Sequence, residues 1–176
     1  MPPYDSWTIA AETLAIDGVP PFAQRVRDLG RIDNELRETE LRIVPDLIFS
    51  NDGKYQPAPG TVNRFAALDH AFALSNLWVG ELFEVVRIVA SPKFHKNLDV
   101  LTKRKLKDLK RDLAMVRNPL IKMQISGKGR YVHYPESIIS DAGSTAWRVR
   151  DHELNEHVFS RRKFADRLLA LFSVRG

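Results

Sequence analysis

Residues 62–90 read VNRFAALDHAFALSNLWVGELFEVVRIVA, and apolar residues recur through them at helical spacing. The dipeptide Ser91-Pro92 follows, which is a signal that ends a helix. The apolar residues cover most of the circumference, and such a helix has to be buried on several sides. We therefore predict a long central helix in a mainly helical fold. Its apolar residues are Phe65, Leu68, Phe72, Leu77, Trp78, Leu82, Phe83, Val86 and Val89.

Polar residues form a narrow line along this predicted helix. Asp69, Asn76, Glu84 and Arg87 follow one another at steps of seven, eight and three residues. Burial of a charged side chain is costly unless a partner accompanies it. The line is therefore either a seam that reaches solvent or an internal network with partners on another helix, and the sequence leaves both open.

Three more helices are predicted, at about residues 21–44, 97–126 and 160–173. Pro45 ends the first of them, and Ser160 is the expected N-cap of the last. Each helix carries apolar residues at steps of three and four on one face. These residues are Phe22, Val26, Leu29, Ile32 and Leu36 in the first, Leu98, Leu101, Leu106, Leu109, Leu113, Val116, Leu120 and Met123 in the second, and Phe164, Leu168, Leu169 and Phe172 in the last.

A proline lies well inside the second of these helices. Pro119 lacks a backbone N–H, and a proline in a helix interior costs about 3 kcal/mol. We therefore expect a kink or a break at Arg117-Asn118-Pro119.

The pattern changes at about residues 131–150, where short segments are rich in β-branched and aromatic residues. Asp141-Ala142-Gly143-Ser144 has the composition of a hairpin turn, whereas residues 152–157 indicate a loop. The resulting prediction is one domain over residues 1–176. It is a mainly α bundle of long antiparallel helices with a small β-hairpin before the C-terminal helix.

Composition excludes several classes of protein. The 176 residues include no cysteine, which excludes a disulfide framework, a thiol nucleophile and a cysteine zinc site. The chain has no phosphate-binding glycine loop and no histidine pair at zinc-ligand spacing, so we predict neither a cofactor nor a metal. No apolar run reaches eighteen residues and the first residues do not resemble a leader, so we expect a cytoplasmic protein with no membrane partner.

Positive charge is concentrated in one segment. Residues 93–130 hold 12 Lys and Arg against 3 Asp and Glu, whereas residues 1–92 hold 8 against 13. Such a block attracts polyanions over about 8 Å at physiological salt, which favours a nucleic-acid partner. A solvated helix face and an interface with an acidic protein remain the alternatives. The cations expected on this helix face are Lys103, Arg104, Lys107, Lys110 and Arg111.

Arg117 departs from the amphipathic pattern of its helix. It comes four residues after Leu113 and three before Leu120, which places it on the apolar side. An arginine there needs a carboxylate, and Glu84 is the acid most available on the central helix, although Arg87 is a competing partner for it. The pair either sets the register of the two helices or holds an arginine at the edge of a cleft, ready to bind phosphate.

These residues resemble a known family. The segments 77–79 and 83–87 on one long helix, followed by 116–122 on the next, are similar to the HEPN superfamily of helical proteins. Its members pair an acidic residue on one long helix with an Arg-Asn motif on the following one. The resemblance covers about residues 62–126, and residues 159–169 resemble the ending of some HEPN-like bacterial proteins.

The resemblance implies a fold of four or five helices and a homodimer whose two-fold axis brings two arginine motifs together. In active members it implies metal-independent cleavage of RNA. It also suggests a bacterial toxin or defence system, with an antitoxin or another protein as a partner. Carried onto this chain, it marks Glu84, Arg117, Asn118 and Lys122 as the catalytic candidates.

The chain departs from the family at the catalytic histidine. Active members place it four to six residues beyond the arginine, where this chain has Lys122, Met123 and Gln124. None of these suits proton transfer as an imidazole does, so we expect an RNA-binding homodimer with weak or no catalysis rather than an active ribonuclease. The candidate RNA contacts are Arg87, Lys103, Lys107, Lys110, Arg111 and His133.

Five histidines occur elsewhere in the chain, and each is expected to have a structural or surface role. His133 remains a candidate because Tyr131 and Tyr134 accompany it close to the basic segment, and aromatic side chains beside lysines bind single-stranded RNA. The other four are His70, His95, His152 and His157.

Overall fold

The computed structural model describes residues 3–14, 20–43, 62–95, 98–122, 135–151 and 153–172. The described chain is mainly helical, with a small antiparallel sheet before the C-terminal helix, which confirms the predicted fold class. Its helices are α1 Pro3–Thr13, α2 Pro20–Ile43, α3 Val62–Val89, α4 Pro92–His95, α5 Val100–Lys122 and α6 Arg161–Phe172. Its strands are β1 Glu136–Ile139, β2 Thr145–Arg150 and β3 Glu156–Ser160.

The central helix of the core is α3, which packs against α2 and α5. Trp78, Leu82 and Val86 are fully buried on it, as its apolar sequence requires. The expected burial on several sides is confirmed, but Leu77, one of the predicted apolar residues, is 69% exposed. Leu101, predicted on the core face of the basic helix, is also exposed, since it lies in the first turn of α5.

Helix α1 packs against α2 and was not predicted, because its residues show no clear apolar period. Trp7 anchors it with no exposed surface, and its ring meets that of Trp78 edge to face at 6.3 Å. The indole nitrogen of Trp7 donates to Asp33 Oδ2 at 3.1 Å. Gly30 makes this approach possible, since a Cβ there would lie 2.5 Å from Cβ of Trp7.

The predicted hairpin is present, and a third strand extends it. β1 and β2 pair antiparallel across residues 140–144, and Gly143 adopts a φ of 69° in that turn. The loop predicted at 152–157 is wrong at its end, because His157 lies in β3. β3 was missed because its outer residues are polar or exposed, and it becomes a strand by pairing its backbone with β2.

Two predictions about the ends of the helices differ from the structure, and one is confirmed. α5 runs through Pro119 to Lys122, so of the expected kink or break the break is excluded, and the kink stays a prediction. Leu120 packs against the core just beyond the proline, and this packing offsets the lost hydrogen bond. His95, predicted in a loop, belongs to the short helix α4. Ser160 caps α6 as predicted, accepting from the backbone N–H of Lys163 at 3.5 Å.

A fully buried charge network joins α2, β2 and α6. Arg161 has no exposed surface and forms ion pairs with Asp33 and with Glu40, the latter at 2.9 Å. The Glu40 carboxylate also accepts from the backbone N–H and the hydroxyl of Thr145, at 2.8 and 2.9 Å. Arg37 and Arg162 reach the same two acids from the partly exposed rim. Each acid therefore has opposite charge and hydrogen bonds, which buried carboxylates require.

Candidate nucleic-acid interface

The pairing predicted between α5 and α3 is confirmed. Arg117 Nη2 lies 3.4 Å from Glu84 Oε1, and the two side chains are 19% and 25% exposed. The guanidinium also lies over the ring of Phe83, 5.0 Å from its centroid. Arg87 reaches the other oxygen of Glu84 more closely, with Nε at 2.7 Å. Glu84 therefore holds two arginines, and its stronger contact is with the one on its own helix.

The polar line on α3 is a seam that reaches solvent. Asp69 and Arg87 are exposed at its two ends, and Glu84 is partly exposed. Asn76 is the inner member, and its Oδ1 accepts from the indole nitrogen of Trp147 at 2.7 Å. The seam thus reaches solvent at its ends and has an internal hydrogen bond at Asn76, so it has features of both arrangements that the sequence left open.

A cleft of about 490 Å³ lies along this seam. The Glu84–Arg117 pair lines one part of it, and both polar and apolar residues of α3, together with Leu120 of α5, line the rest. Arg117 Nε has no hydrogen-bond partner among the described residues. This nitrogen is buried, so the unused donor does not itself face the cleft. The lining residues are Ala73, Asn76, Leu77, Gly80, Glu81, Glu84, Arg117 and Leu120.

The remaining catalytic candidates, Asn118 and Lys122, lie at different positions relative to the Glu84–Arg117 pair. Asn118 lies next to the pair, and its Oδ1 accepts from Arg117 Nη1 at 3.3 Å. Lys122 ends α5, and its side chain is outside the described part of the structure. The described lining of the cleft contains no histidine. Its own residues therefore supply a cation and an acid, but not the imidazole that the family uses for proton transfer.

The cationic stripe of α5 lines a second concavity. Lys103, Arg104, Lys107 and Lys110 line a concavity of about 420 Å³, with Ala90 at the end of α3. Residues 103 and 110 are seven apart, so the stripe is about 10 Å long. Arg104 was on the predicted basic face but not among the predicted RNA contacts, and it lines the same concavity as three of them.

Arginines and lysines differ in ion pairing, since none of the described lysine side chains has a carboxylate partner within 4.0 Å among the described residues. Most of the described arginines contact a carboxylate, including Arg25 with Glu81 at 2.5 Å and Arg167 with Asp112 at 2.9 Å. By contrast, the described residues provide no acidic partner within 4.0 Å for the four cations of the stripe. Their charge is therefore not balanced locally, and a polyanion near the stripe experiences it in full.

Two predicted RNA contacts are less available than the stripe. Arg111 is exposed but contacts Asp108 at 3.3 Å and Asp112 at 3.2 Å. Arg87 is held by Glu84, as described above. Their charges are largely balanced within the chain. His133 lies outside the described residues, as do Met123 and Gln124.

The start of α5 is secured by a cap that positions the stripe. Asp99 Oδ1 accepts from the backbone N–H of Thr102 at 2.9 Å, and its Oδ2 accepts from the Thr102 hydroxyl at 2.6 Å. The hydroxyl and the backbone N–H of Thr102 lower the pKa of Asp99. Lys103 follows directly, so the cap sets where the cationic stripe begins.

The described residues contain no group of three acids and histidines arranged to hold a metal ion. None of the described helices is both long and apolar enough to cross a membrane. The chain matches no protein-family model, no curated protein and no solved structure. The resemblance to the HEPN superfamily therefore stays a prediction that rests on the residues quoted for it.

Proposed function

We propose that this protein binds the sugar-phosphate backbone of nucleic acid through the cationic stripe of α5, with single-stranded RNA as the ligand that the family resemblance favours. The observation that carries the proposal is the concavity lined by Lys103, Arg104, Lys107 and Lys110 without an acidic partner among the described residues. Lysine and arginine side chains bind phosphate, and release of counterions from the nucleic acid drives the association.

The lining of the concavity favours a nucleic acid over an acidic protein. A protein interface has an apolar core, whereas Ala90 is the one apolar residue among the described residues that line this surface. A phosphate backbone needs no such core, because its contacts are charge-assisted hydrogen bonds. Binding to an acidic protein is therefore treated as an alternative that the binding experiment tests.

The experiment measures binding of a fluorescent single-stranded RNA by anisotropy at several salt concentrations. The variant replaces Lys103, Lys107 and Lys110 by Gln, which removes three cations and keeps a polar side chain at each position. We expect the slope of log K against log salt to become about 2 units shallower. Each of the three lost phosphate contacts contributes about 0.7 to the slope on a single strand. Affinity at low salt should fall for every RNA sequence alike.

Lys105→Gln is the matched control, since Lys105 is exposed on the same helix but does not line the concavity. It should leave the slope almost unchanged. Equal loss of binding in this control, or equally tight binding of poly-glutamate by the unmodified protein, contradicts the proposal. The second outcome supports an acidic protein partner.

Metal-independent cleavage of RNA is the second candidate function. It is favoured by Arg117, whose guanidinium lies at the cleft beside Glu84 with Nε unpartnered among the described residues. The test is incubation with labelled RNA in the presence of EDTA. Cleavage that is lost in Arg117→Ala supports an active ribonuclease, and an intact RNA supports binding without catalysis.

A further inference from the structure

The cationic stripe of α5 concentrates its charge in a small volume. Its four cations lie within about 10 Å along the helix, and the concavity that they line, at about 420 Å³, has the volume of a small-ligand site. Arg104 and Lys107 are exposed, whereas Lys103 and Lys110 are half-buried. Four cations this close together are complemented best by an anion whose charge is equally dense.

The acids of the same helix are engaged with other partners. Asp108 and Asp112 contact Arg111, at 3.3 and 3.2 Å, and α5 contains no further acid. Asp99, just before the helix, accepts from the backbone N–H and the hydroxyl of Thr102. The charge of the stripe is therefore left for a ligand.

An apolar side chain lies on the same side of α5, one turn before the cations. Val100 precedes Lys103 by three residues and Lys107 by seven, so these side chains share one face of the helix. Val100 is 82% exposed although it is apolar. Leu101 is 59% exposed, but it lies about 100° further around the helix and so away from the stripe. The face therefore offers a ligand both an apolar contact and a cluster of cations.

We propose that this face binds a chain of directly linked phosphates that carries a nucleoside, which is the chemistry of the 5′-triphosphate end of an RNA and of a free nucleoside triphosphate. The phosphates contact the four cations, and the nucleoside packs on Val100. The proposal rests on the phosphate binding proposed above for the stripe, and it narrows the ligand from an internal stretch of backbone to a terminal polyphosphate.

The density of charge distinguishes this ligand from the interior of a strand. Within a strand each nucleotide carries one negative charge, and a ribose separates its phosphate from the next. In a triphosphate a single bridging oxygen separates neighbouring phosphorus atoms. The chain carries about four negative charges, because its terminal phosphate approaches a charge of about −2 near pH 7. These charges match the four cations, and charge-assisted hydrogen bonds of this kind are strong.

A membrane surface fits the same face less well. Anionic headgroups also carry phosphate, and an exposed apolar side chain beside cations is typical of a segment that binds a lipid surface. A bilayer is nearly flat, however, whereas the cations of α5 line a concavity. Binding to lipid is therefore an alternative outcome of the test.

The test compares three RNAs of one sequence that differ only in their 5′ end, which is a triphosphate, a monophosphate or a hydroxyl. A 3′ fluorophore reports binding by anisotropy at physiological salt. We expect the triphosphate RNA to bind at least about tenfold more tightly than the hydroxyl RNA, the gain that one additional hydrogen bond between charged groups provides. The monophosphate RNA should lie between them.

Competition separates the two sources of the ligand. Displacement of the triphosphate RNA by ATP supports the proposal with a free nucleotide as ligand, whereas an RNA that ATP does not displace supports it with the RNA end as ligand. Inorganic triphosphate should compete more weakly than a nucleoside triphosphate, because it has no nucleoside to pack on Val100.

Two variants test the two parts of the face. Arg104→Gln removes a cation of the concavity and should reduce the preference for the triphosphate end by about threefold or more, whereas Lys105→Gln, outside the concavity, should not. Val100→Ser should weaken the triphosphate RNA by about threefold without affecting inorganic triphosphate. Leu101→Ser is its matched control, since both residues are exposed in the first turn of α5.

The outcomes separate this proposal from RNA binding itself. Equal affinity for the three RNAs, with no displacement by ATP or inorganic triphosphate, overturns the proposal and leaves binding of the RNA backbone standing. Binding of ATP without binding of any RNA supports the proposal and contradicts RNA binding. Binding to vesicles of phosphatidylserine and phosphatidylcholine that triphosphate RNA does not displace overturns the proposal in favour of a lipid surface.

Discussion

At Gly30 the usual preference for alanine over glycine inside a helix is reversed. Alanine in a helix interior is normally favoured over glycine by about 1 kcal/mol. In α2, however, the Cβ that alanine adds would lie 2.5 Å from Cβ and 2.6 Å from Cγ of Trp7. Since these atoms belong to a fully buried tryptophan, α1 has to move away.

We therefore expect Gly30→Ala to lower the free energy of unfolding by about 1–3 kcal/mol, as overpacking does. Denaturant unfolding measures it. A double-mutant cycle with Trp7→Leu is the control, because the smaller side chain should relieve most of the penalty. Stabilisation by Gly30→Ala in the unmodified background contradicts the packing of α1 on α2.

Asp151 is a second residue with a defined physical role, since it closes the turn between β2 and β3. Its carboxylate lies 2.9 Å from His157 Nε2, and its Oδ1 accepts from the backbone N–H groups of Glu153 and Asn155. The hydrogen bond with His157 is the main cause that holds the pKa of Asp151 well below its ordinary value, with Asn155 and Glu153 adding to it.

A carboxyl group whose pKa is lowered by folding stabilises the protein above its unfolded pKa, about 4. That contribution is lost as the pH falls from about 4 toward the folded pKa. We expect Asp151→Asn to be less stable than the unmodified protein at pH 6, with the difference shrinking at pH 3. Urea unfolding at the two pH values checks this, and a difference that is independent of pH contradicts it.

At the scale of the element, the positive charge that suits α5 for binding phosphate also lowers the stability of the helix. Lys107 has cations three and four residues away in both directions, at 103, 104, 110 and 111. Like charges at these spacings destabilise a helix by about 0.2–0.5 kcal/mol per pair. A binding surface that concentrates positive charge is thus less stable than a helix designed only to fold.

Lys107→Gln removes four such pairs and is therefore expected to raise the free energy of unfolding by about 0.8–2 kcal/mol at low salt. The gain should vanish near 1 M salt, where the Debye length is about 3 Å. Unfolding curves at the two salt concentrations measure it. Lys163→Gln on α6 serves as the comparison, and an equal gain there assigns the effect to net charge and not to the stripe.

At the scale of the whole molecule, the buried network of Arg161 joins segments more than a hundred residues apart. Arg161 is separated from Asp33 by 128 positions and from Glu40 by 121, and all three side chains are excluded from water. Removing one member of such a network leaves uncompensated buried charge. The network therefore determines how α6 and the sheet dock on α2.

We expect Arg161→Met to lower the free energy of unfolding by about 3–5 kcal/mol, since it leaves two buried carboxylates without their main partner. Arg162→Met is the matched control. Arg162 contacts Glu40 at 2.9 Å from a partly exposed position, so its loss should cost about 1 kcal/mol. Similar losses in the two variants, measured by chemical denaturation, show that burial of Arg161 is not what stabilises the fold.

Local patterns account for the parts of the fold and site that the sequence determined. The apolar periods of α2, α3, α5 and α6, the turn of the hairpin and the cationic face of α5 all depend on residues within a few positions of one another. The Glu84–Arg117 contact was also predictable, because an arginine on an apolar helix face requires an acid. The identity of the partner followed from the scarcity of acids on α3.

Only the tertiary structure decided which surfaces are covered. The short helix α1 and the edge strand β3 have weak patterns of their own and form by packing on α2 and pairing with β2. Leu77 looks like a core residue in the sequence but is exposed, whereas Asp33, Glu40 and Arg161 look like surface residues but are buried. Burial depends on which distant segments of the chain pack together, and the spacing of residues along one helix does not determine that.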